Sequence, residues 1–317
     1  MKQGFGRTRS RKSTGQGLSR SALKEALDGV RGEARFNLPL STFTSFQIGG
    51  PADVFVTPAD EEDAARLFRQ AHRLRIPVFV LGGTNVLIQD RGIRGIVIGL
   101  SHLKAVRVEA GHVLYAEAGV GMPTLIKRAI TLGLSGLEWA AGIPGTVGGC
   151  VVMNAGTRLG EMKDALSGVR MAFPDGSLRD LARADIGFEY RRALLPEGIV
   201  VGARLQLKPA SKGEIERVVK DYLRYRKATQ PLTEPNAGCV FKNPGPRTAG
   251  QLVEAAGLKG EKVGGAQVSA KHANFIVNTG RASASDVLAL IRLVQDRVKA
   301  VSGVELQLEL KVVGEAS

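Results

Sequence analysis

ADVFVTPADEEDAARLFRQAHRLRIPVFVLGGTN, residues 52–85, decides the fold class. Ala52-Asp53-Val54-Phe55-Val56 reads as a strand, and Thr57-Pro58-Ala59-Asp60 supplies a helix entry. Across residues 60–75, Ala64, Leu67, Phe68, Ala71 and Leu74 recur at helical spacing. Pro77-Val78-Phe79-Val80-Leu81 is short, apolar and β-rich, which predicts a buried strand. Gly82 and Gly83 then punctuate the chain, and Ile93 to Leu100 predicts another strand. The unit is β-α-β with a glycine turn after its second strand.

Working outward, residues 105–118 predict a hairpin turning at Gly111. Pro123 stands where a first helical turn would begin, and that helix runs to Gly133. Glycines crowd residues 136–156, after which strands are expected at Val169–Phe173 and Ile199–Leu207. Composition shifts at Pro209-Ala210-Ser211-Lys212-Gly213. Beyond it the pattern predicts helices at Glu214–Lys227, Ala249–Ala256 and Ala284–Ser302, with strands at Asn274–Val277 and Leu306–Val313. Such interleaving makes an α/β or α+β protein. The expected units are a tail (1–35), a domain over 36–210 with subdomains near 36–100 and 101–210, and a second domain over 211–317.

With 317 residues the chain can enclose two or three cores. No apolar run approaches the roughly 20 residues of a membrane span, so no membrane insertion is expected. The opening residues lack the apolar core of a secretory signal. Cys150 and Cys239 are the only cysteines, too far apart for a CxxC pair, which predicts no metal site and a reducing, cytoplasmic setting. The net charge is +14. Nine Lys and Arg against three acids over residues 1–35 carry +6 of it. This Arg-, Ser- and Gly-rich segment reads as a mostly disordered tail, with a targeting signal or a nucleic-acid arm as alternatives. Aromatics are only 5%, and no nucleic-acid-binding motif occurs, so no nucleic-acid partner is expected.

Three glycine clusters compete for a phosphate-binding role. Gly119-Val120-Gly121-Met122-Pro123-Thr124 imitates a dinucleotide fingerprint but lacks its third glycine, and Pro123 removes an amide donor. The Walker pattern is absent. Leu81-Gly82-Gly83-Thr84-Asn85-Val86-Leu87 can turn backbone amides outward as an anion-binding nest. Ala141-Gly142-Ile143-Pro144-Gly145-Thr146-Val147-Gly148-Gly149 holds four glycines in nine positions. That density suits either close approach of a ligand to the backbone or a pair of tight structural turns.

Several blocks are more specific. Leu81–Ile88, Gly136–Gly156, Tyr190-Arg191, Pro235–Pro244, Gly257–Gly260 and Val268–Asn278 occur in order and resemble the UDP-N-acetylenolpyruvoylglucosamine reductase (MurB) family. The resemblance runs from about Phe36 to Gly314. It implies an FAD-binding fold of the vanillyl-alcohol-oxidase type over 36–210, followed by an α+β substrate domain. The short span between Arg191 and Lys227 implies the branch without an extra substrate-capping insertion. It implies FAD held over Gly82, Gly83, Thr84, Asn85, Val86 and Leu87, and over Gly142, Ile143, Gly145, Thr146, Gly148 and Asn154. His72, His102, His112 and His272 lie outside both loops, so the flavin is expected to be non-covalent.

The implied reaction reduces UDP-N-acetylglucosamine enolpyruvate with NADPH, a step of peptidoglycan precursor synthesis, in a monomer or weak oligomer. It needs a cation on the substrate carboxylate and an acid beside the carbon that gains the proton. By motif these are Arg191 and Cys239, with Glu309 polarising the substrate. Strand alternation over Leu306–Leu310 puts Glu309 on a polar face that Glu305 would share, making Glu305 a rival. Tyr190, Lys227, Gln230, Asn243 and His272 are candidate substrate contacts. Read without the motif, Cys239 could be a small core residue, Arg191 a surface neighbour of Arg192, and Glu309 a solvent-facing strand residue. Ala193 stands where the family commonly has serine. A rival flavoenzyme of the same fold, oxidising alcohols or sugars, would not need the Arg191, Cys239 and Glu309 set.

Overall fold

A computed structural model describes residues 19–316, so the expectation for residues 1–18 falls outside the described part. The opening β-α-β unit is present as strands Pro51–Thr57, Val78–Val80 and Ile93–Ile98 around the helix Glu61–Arg73. Its sheet runs in the order Glu33–Pro39, Pro51–Thr57, Ile93–Ile98, Val78–Val80; the first pair is antiparallel and the others parallel. Asp60 caps the helix by accepting the Asp63 N–H, and three acids in the first turn oppose the positive end of the helix dipole. Ala64, Leu67, Phe68 and Ala71 form the buried face of that helix.

Two expectations fail here. Residues 20–35 are folded. Arg20–Ala26 is a helix that buries Leu23 and Ala26, and Glu33–Pro39 pairs with Pro51–Thr57 from end to end. The strand escaped notice although Ala34, Phe36 and Leu38 alternate with polar residues: it is a sheet edge with only Phe36 and Leu38 partly buried, and it directly follows the Arg-rich tail. Asp63 fastens the segment: its carboxylate, fully buried, accepts N–H groups of Arg31, Gly32 and Ala59, each at 2.9 Å. Asp63→Ala should therefore destabilise the fold by about 3 kcal/mol in urea unfolding, because three donors lose their acceptor. The second failure is Val78–Val80, which is not buried. Val80 is 36% exposed, and Phe79 and Val80 line a cavity, while Val78 and Phe79 pack on the core only in part.

The second sheet is antiparallel throughout, in the order Leu178–Ala182, Leu166–Ala172, Ile199–Gln206, Val113–Glu117, Val106–Glu109. The expected hairpin forms its edge, and Met122–Leu132 ends at Gly133 with φ +65°. A third sheet, in the order Asn236–Cys239, Phe275–Asn278, Ala266–Val268, Lys262–Val263, packs with helices Ala249–Ala255 and Ala284–Ser302. Its core also takes Phe46, Ile48 and Leu87 from early in the chain. The helix Lys212–Thr229, beyond the compositional shift, lies on the earlier unit: it packs on Met122–Leu132, and Arg226 Nη1 donates to Ala141 O at 3.2 Å.

The expected strand Leu306–Val313 is shorter than its apolar pattern predicts. Lys311–Val313 pairs in parallel with Val86–Ile88, while Gln307 and Glu309 bond the Val240–Lys242 backbone instead. The chain end thus joins the glycine loop to the Cys239 strand.

Candidate active site

A cavity of about 450 Å³ opens between the two glycine turns. The turns meet closely: a Cβ on Gly82 would lie 3.6 Å from Gly149 Cα. Gly83 adopts φ +78°, and a Cβ there would come within 2.6 Å of the Phe43 carbonyl oxygen, so only glycine fits. Thr84, Asn85, Val86, Thr146 and Gly148 also line the cavity. Phe43 and Phe55, with ring centroids 4.5 Å apart, give it an apolar wall. Among the described residues, Lys311 is the one charged side chain on the lining. The third glycine cluster packs against the second, with Met122 N–H on Gly145 O at 3.0 Å and Val147 N–H on Val120 O at 2.8 Å.

Other residues expected at the cofactor take structural places. Leu87 points into the C-terminal core, fully buried. Asn154 is buried with φ +40°; its amide donates to Glu161 Oε2 at 2.9 Å and Glu189 O at 3.3 Å, and its Oδ1 accepts the Lys163 N–H at 3.1 Å. It therefore holds the Tyr190-Arg191 turn rather than lining the cavity. Gly142, with φ +78°, lets the helix Lys212–Thr229 approach: a Cβ would meet Leu223 at 3.2 Å and Arg226 at 3.3 Å. Ile143 packs on the main core, and Gly145 sits buried beside Thr84 and Cys150.

Arg191, Cys239 and Glu309, 118 residues apart at the extremes, gather at one end of this assembly. Arg191 Nε donates to Glu309 Oε1 at 2.9 Å, and the Tyr190 hydroxyl donates to Glu309 Oε2 at 3.2 Å. Arg191 occupies the turn between strands Gly187–Glu189 and Arg192–Leu194 with φ +58°, a left-handed backbone that is strained for arginine. Glu309 N–H donates to Val240 O at 2.8 Å, beside Cys239. Asn85 of the first glycine loop donates to Glu309 O at 3.1 Å, and Ser45 Oγ donates to Asn236 O at 2.7 Å. The first glycine loop and the Cys239 strand are thereby tied together. Burial, then the Glu309 charge, push the Cys239 thiol up to about 12, while Arg191 and Arg226 pull against them. The thiol is held as an acid with its proton on.

Glu305, the rival acid, is exposed and pairs with Lys299 at the surface. Ala193 is buried, so a serine hydroxyl there would need its own partner. Gln230 Oε1 accepts from Arg226 Nε at 3.0 Å, and Lys227 is exposed on the same helix. Asn243 Oδ1 accepts the Ala249 N–H at 3.0 Å, and His272 Nδ1 accepts the Asn274 N–H at 3.2 Å. Burial lowers the His272 pKa. These bonds engage one face of each residue and leave Asn243 Nδ2 and His272 Nε2 as the remaining polar atoms.

Two residues escaped the sequence reading. Arg226 bonds only neutral acceptors, and burial lowers its pKa below the usual guanidinium value although Cys239 acts in the opposite sense. Asn274, 3% exposed, brackets Phe241 by two 2.9 Å bonds and also reaches the Cys239 thiol. A helical arginine has no local signature. The Asn274 bonds span 33 residues, so no short window could reveal them.

Residues 52–182 match a family model described as an FAD binding domain, and residues 230–313 match the UDP-N-acetylenolpyruvoylglucosamine reductase C-terminal domain. The UDP-N-acetylenolpyruvoylglucosamine reductase of Anaeromyxobacter sp. (strain Fw109-5) is 46% identical over 288 residues, 90% of either chain. That of Caldanaerobacter subterraneus subsp. tengcongensis is 43% identical over 92% of this chain and 97% of its own. The crystal structure of UDP-N-acetylenolpyruvylglucosamine reductase (MurB) from Thermus caldophilus superposes with a TM-score of 0.78 at 40% identity, covering 90% of this chain and 100% of that one. The second matched region begins where the helix Lys212–Thr229 ends, as the packing does. With relatives this similar over nearly its whole length, the chain belongs to the UDP-N-acetylenolpyruvoylglucosamine reductase (MurB) family.

Proposed function

We propose that the protein reduces UDP-N-acetylglucosamine enolpyruvate to UDP-N-acetylmuramate with NADPH, using non-covalently bound FAD, in cytoplasmic peptidoglycan precursor synthesis. The observation that carries this reading is the Arg191–Glu309 pair beside a protonated Cys239, tied by Asn85 to a glycine-lined cavity. The cavity suits a dinucleotide with a flat ring: glycine backbone without side chains, aromatic walls and the Lys311 cation. Gly82, Gly83, Thr84, Asn85, Thr146 and Gly148 would hold it. The expected assembly is a monomer or weak oligomer.

Bound FAD supplies the two-electron relay between NADPH and the enolpyruvyl double bond. The protein's own part is charge and proton placement. Arg191, always cationic, holds the substrate carboxylate and stabilises the negative charge that hydride addition at the methylene carbon creates beside it. Cys239 Sγ–H breaks to give its proton to the neighbouring carbon, and the resulting thiolate faces Arg191 and Arg226 until solvent returns a proton. Glu309 fixes the guanidinium fork through Nε, leaving its Nη atoms for the substrate.

The test is anaerobic: NADPH should bleach the yellow protein, and UDP-N-acetylglucosamine enolpyruvate should restore the colour. Bleaching by an alcohol or sugar without NADPH would overturn the reading. Glu309→Gln should lower kcat by roughly 10²-fold, as loss of one preorganised electrostatic group does. Glu305→Ala should stay within about twofold, since an exposed ion pair contributes little. Equal losses in steady-state assays would argue that the acid at 309 has no special place.

A further inference from the structure

We propose that Asn274 is a positioning residue for the acid: its side-chain amide clamps the backbone that follows Cys239 and turns a donor N–H to the Cys239 sulfur, leaving the thiol proton to face the substrate. This inference rests on the function proposed above and adds a side chain that acts through Cys239. Asn274 is 3% exposed and stands just before the strand Phe275–Asn278. Its Oδ1 accepts the Phe241 N–H at 2.9 Å, and its Nδ2 donates to Phe241 O at 2.9 Å. Two bonds to one residue fix which way the amide points, because a backbone N–H needs the oxygen and a backbone carbonyl needs the NH2 group. The main chain joins in: Val240 N–H donates to Asn274 O at 2.9 Å, and Cys239 pairs with Phe275 across the sheet. From the other side the chain end holds the same segment, with Glu309 N–H on Val240 O and Lys242 N–H on Gln307 O, both at 2.8 Å. Residues 240–242 are thus gripped between Asn274 and the Gln307–Glu309 backbone. His272 steadies the clamp, its Nδ1 accepting the Asn274 N–H at 3.2 Å and its ring meeting Phe275 edge-on at 4.8 Å.

Phe241 O uses one of the two amide N–H groups of Asn274. The second reaches the Cys239 sulfur and acts on it as a donor does, opposing burial and Glu309. An NH2 group has no lone pair to offer a thiol, so the S–H hydrogen cannot be spent on Asn274 and stays available for another acceptor. The charged and titratable groups around the thiol are Glu309, Arg191, Arg226 and Tyr190. When the S–H bond breaks and its proton forms a C–H bond on the substrate, the electron pair remains on sulfur. An N–H already aimed at that sulfur stabilises the new charge with no rearrangement. Arg191 is engaged with Glu309, whereas Asn274 serves the sulfur directly. A neutral donor also suits the timing. It favours the thiolate less than a cation would, so the proton stays in place until hydride has been added.

Two variants of the holoprotein test the clamp. Asn274→Asp keeps the shape and the acceptor for Phe241 but loses the N–H donors; Asn274→Ser is neutral and too short to span Phe241 and the sulfur. Cys239 is partly exposed and Cys150 is buried, so iodoacetamide reads the Cys239 thiolate. Alkylation at about pH 9 follows the thiolate fraction and should slow roughly tenfold in both variants, the effect of one hydrogen bond to a charged group. Flavin content should be unchanged, bleaching by NADPH should stay within about twofold, and reoxidation by the enolpyruvyl substrate should slow roughly tenfold. In a Cys239→Ala background, Asn274→Ser should add no more than about a twofold loss to reoxidation, because the two side chains act as one unit. A side chain that merely holds the fold would add its full loss there. Unchanged alkylation in both variants overturns the proposal, as does an additive loss in the double variant. Loss of flavin from both variants would assign Asn274 to the fold alone and overturn it equally. A wild type that the enolpyruvyl substrate never reoxidises would sink the proposed reaction, and the alkylation rates would still decide whether Asn274 serves the thiol.

Discussion

Cys239→Ala is expected to bleach with NADPH at the wild-type rate and to lose roughly 10²–10⁴-fold in reoxidation by the enolpyruvyl substrate, the range for removing a general acid. The split follows from position. Cys239 sits on the strand bonded to Glu309, in the electrostatic reach of Arg191, and none of these side chains lines the apolar part of the cavity where Phe43 and Phe55 lie. Rapid-mixing measurement of the two half-reactions separates the cases. Equal loss in both would mean that the thiol supports the fold or the cofactor instead of delivering a proton. Cys239→Ser should restore most of the rate, since a hydroxyl in the same place can donate.

The pH dependence gives a second, independent reading. A free thiol titrates near ~8.5, but burial and Glu309 raise Cys239 to about 12. Raising the pKa keeps the proton on, so the acid remains competent as pH rises through 8 and 9 and is lost only as pH approaches the raised value. Substrate reoxidation should thus be flat from about pH 7 to 10. An alkaline limb with a midpoint near ~8.5 would show that the thiol is solvated and that burial and Glu309 do not raise it as described.

How much of this was legible in the chain depends on the range of the interaction. The helix Ala284–Ser302 was readable to the residue because Ser283 and Asp286 form a reciprocal cap and Gly303 ends it at φ +72°. The edge strand Glu33–Pro39 was not, since its alternating Ala34, Phe36 and Leu38 form too short and too exposed a pattern to stand out after the basic segment that precedes it. Val78–Val80 misled in the opposite sense: an apolar run can serve a ligand cavity as well as a core, and periodicity alone does not separate the two. At the site, the motifs single out Arg191, Cys239 and Glu309, which lie in one cluster in the structure, but the reason for their meeting is long-range. Glu309 arrives by way of Val240 and Asn85, partners 69 and 224 residues away, and no local pattern encodes that.

Gly149→Val is expected to yield a folded but colourless protein. Gly149 lies in the helix Val147–Val152, and a Cβ there meets only Thr146 Oγ1 at 3.5 Å and Gly82 Cα at 3.9 Å, ordinary contact distances. The backbone therefore tolerates the side chain, and a helical valine costs no more than glycine did. What changes is the floor of the cavity, where the branched methyls would enter the gap between the two glycine turns. Flavin content after gel filtration should fall to near zero, and the thermal midpoint should match that of wild-type protein stripped of flavin. Wild type with saturating flavin should be more stable by about 2.7 kcal/mol at a hundredfold excess over Kd, a gain the variant cannot show. Gly83→Ala is the contrasting case. Its Cβ would lie 2.6 Å from the Phe43 carbonyl oxygen at φ +78°, so the fold itself should lose stability with or without flavin. If Gly149→Val instead keeps its colour, the dinucleotide does not pass between these turns, and the cavity is misassigned.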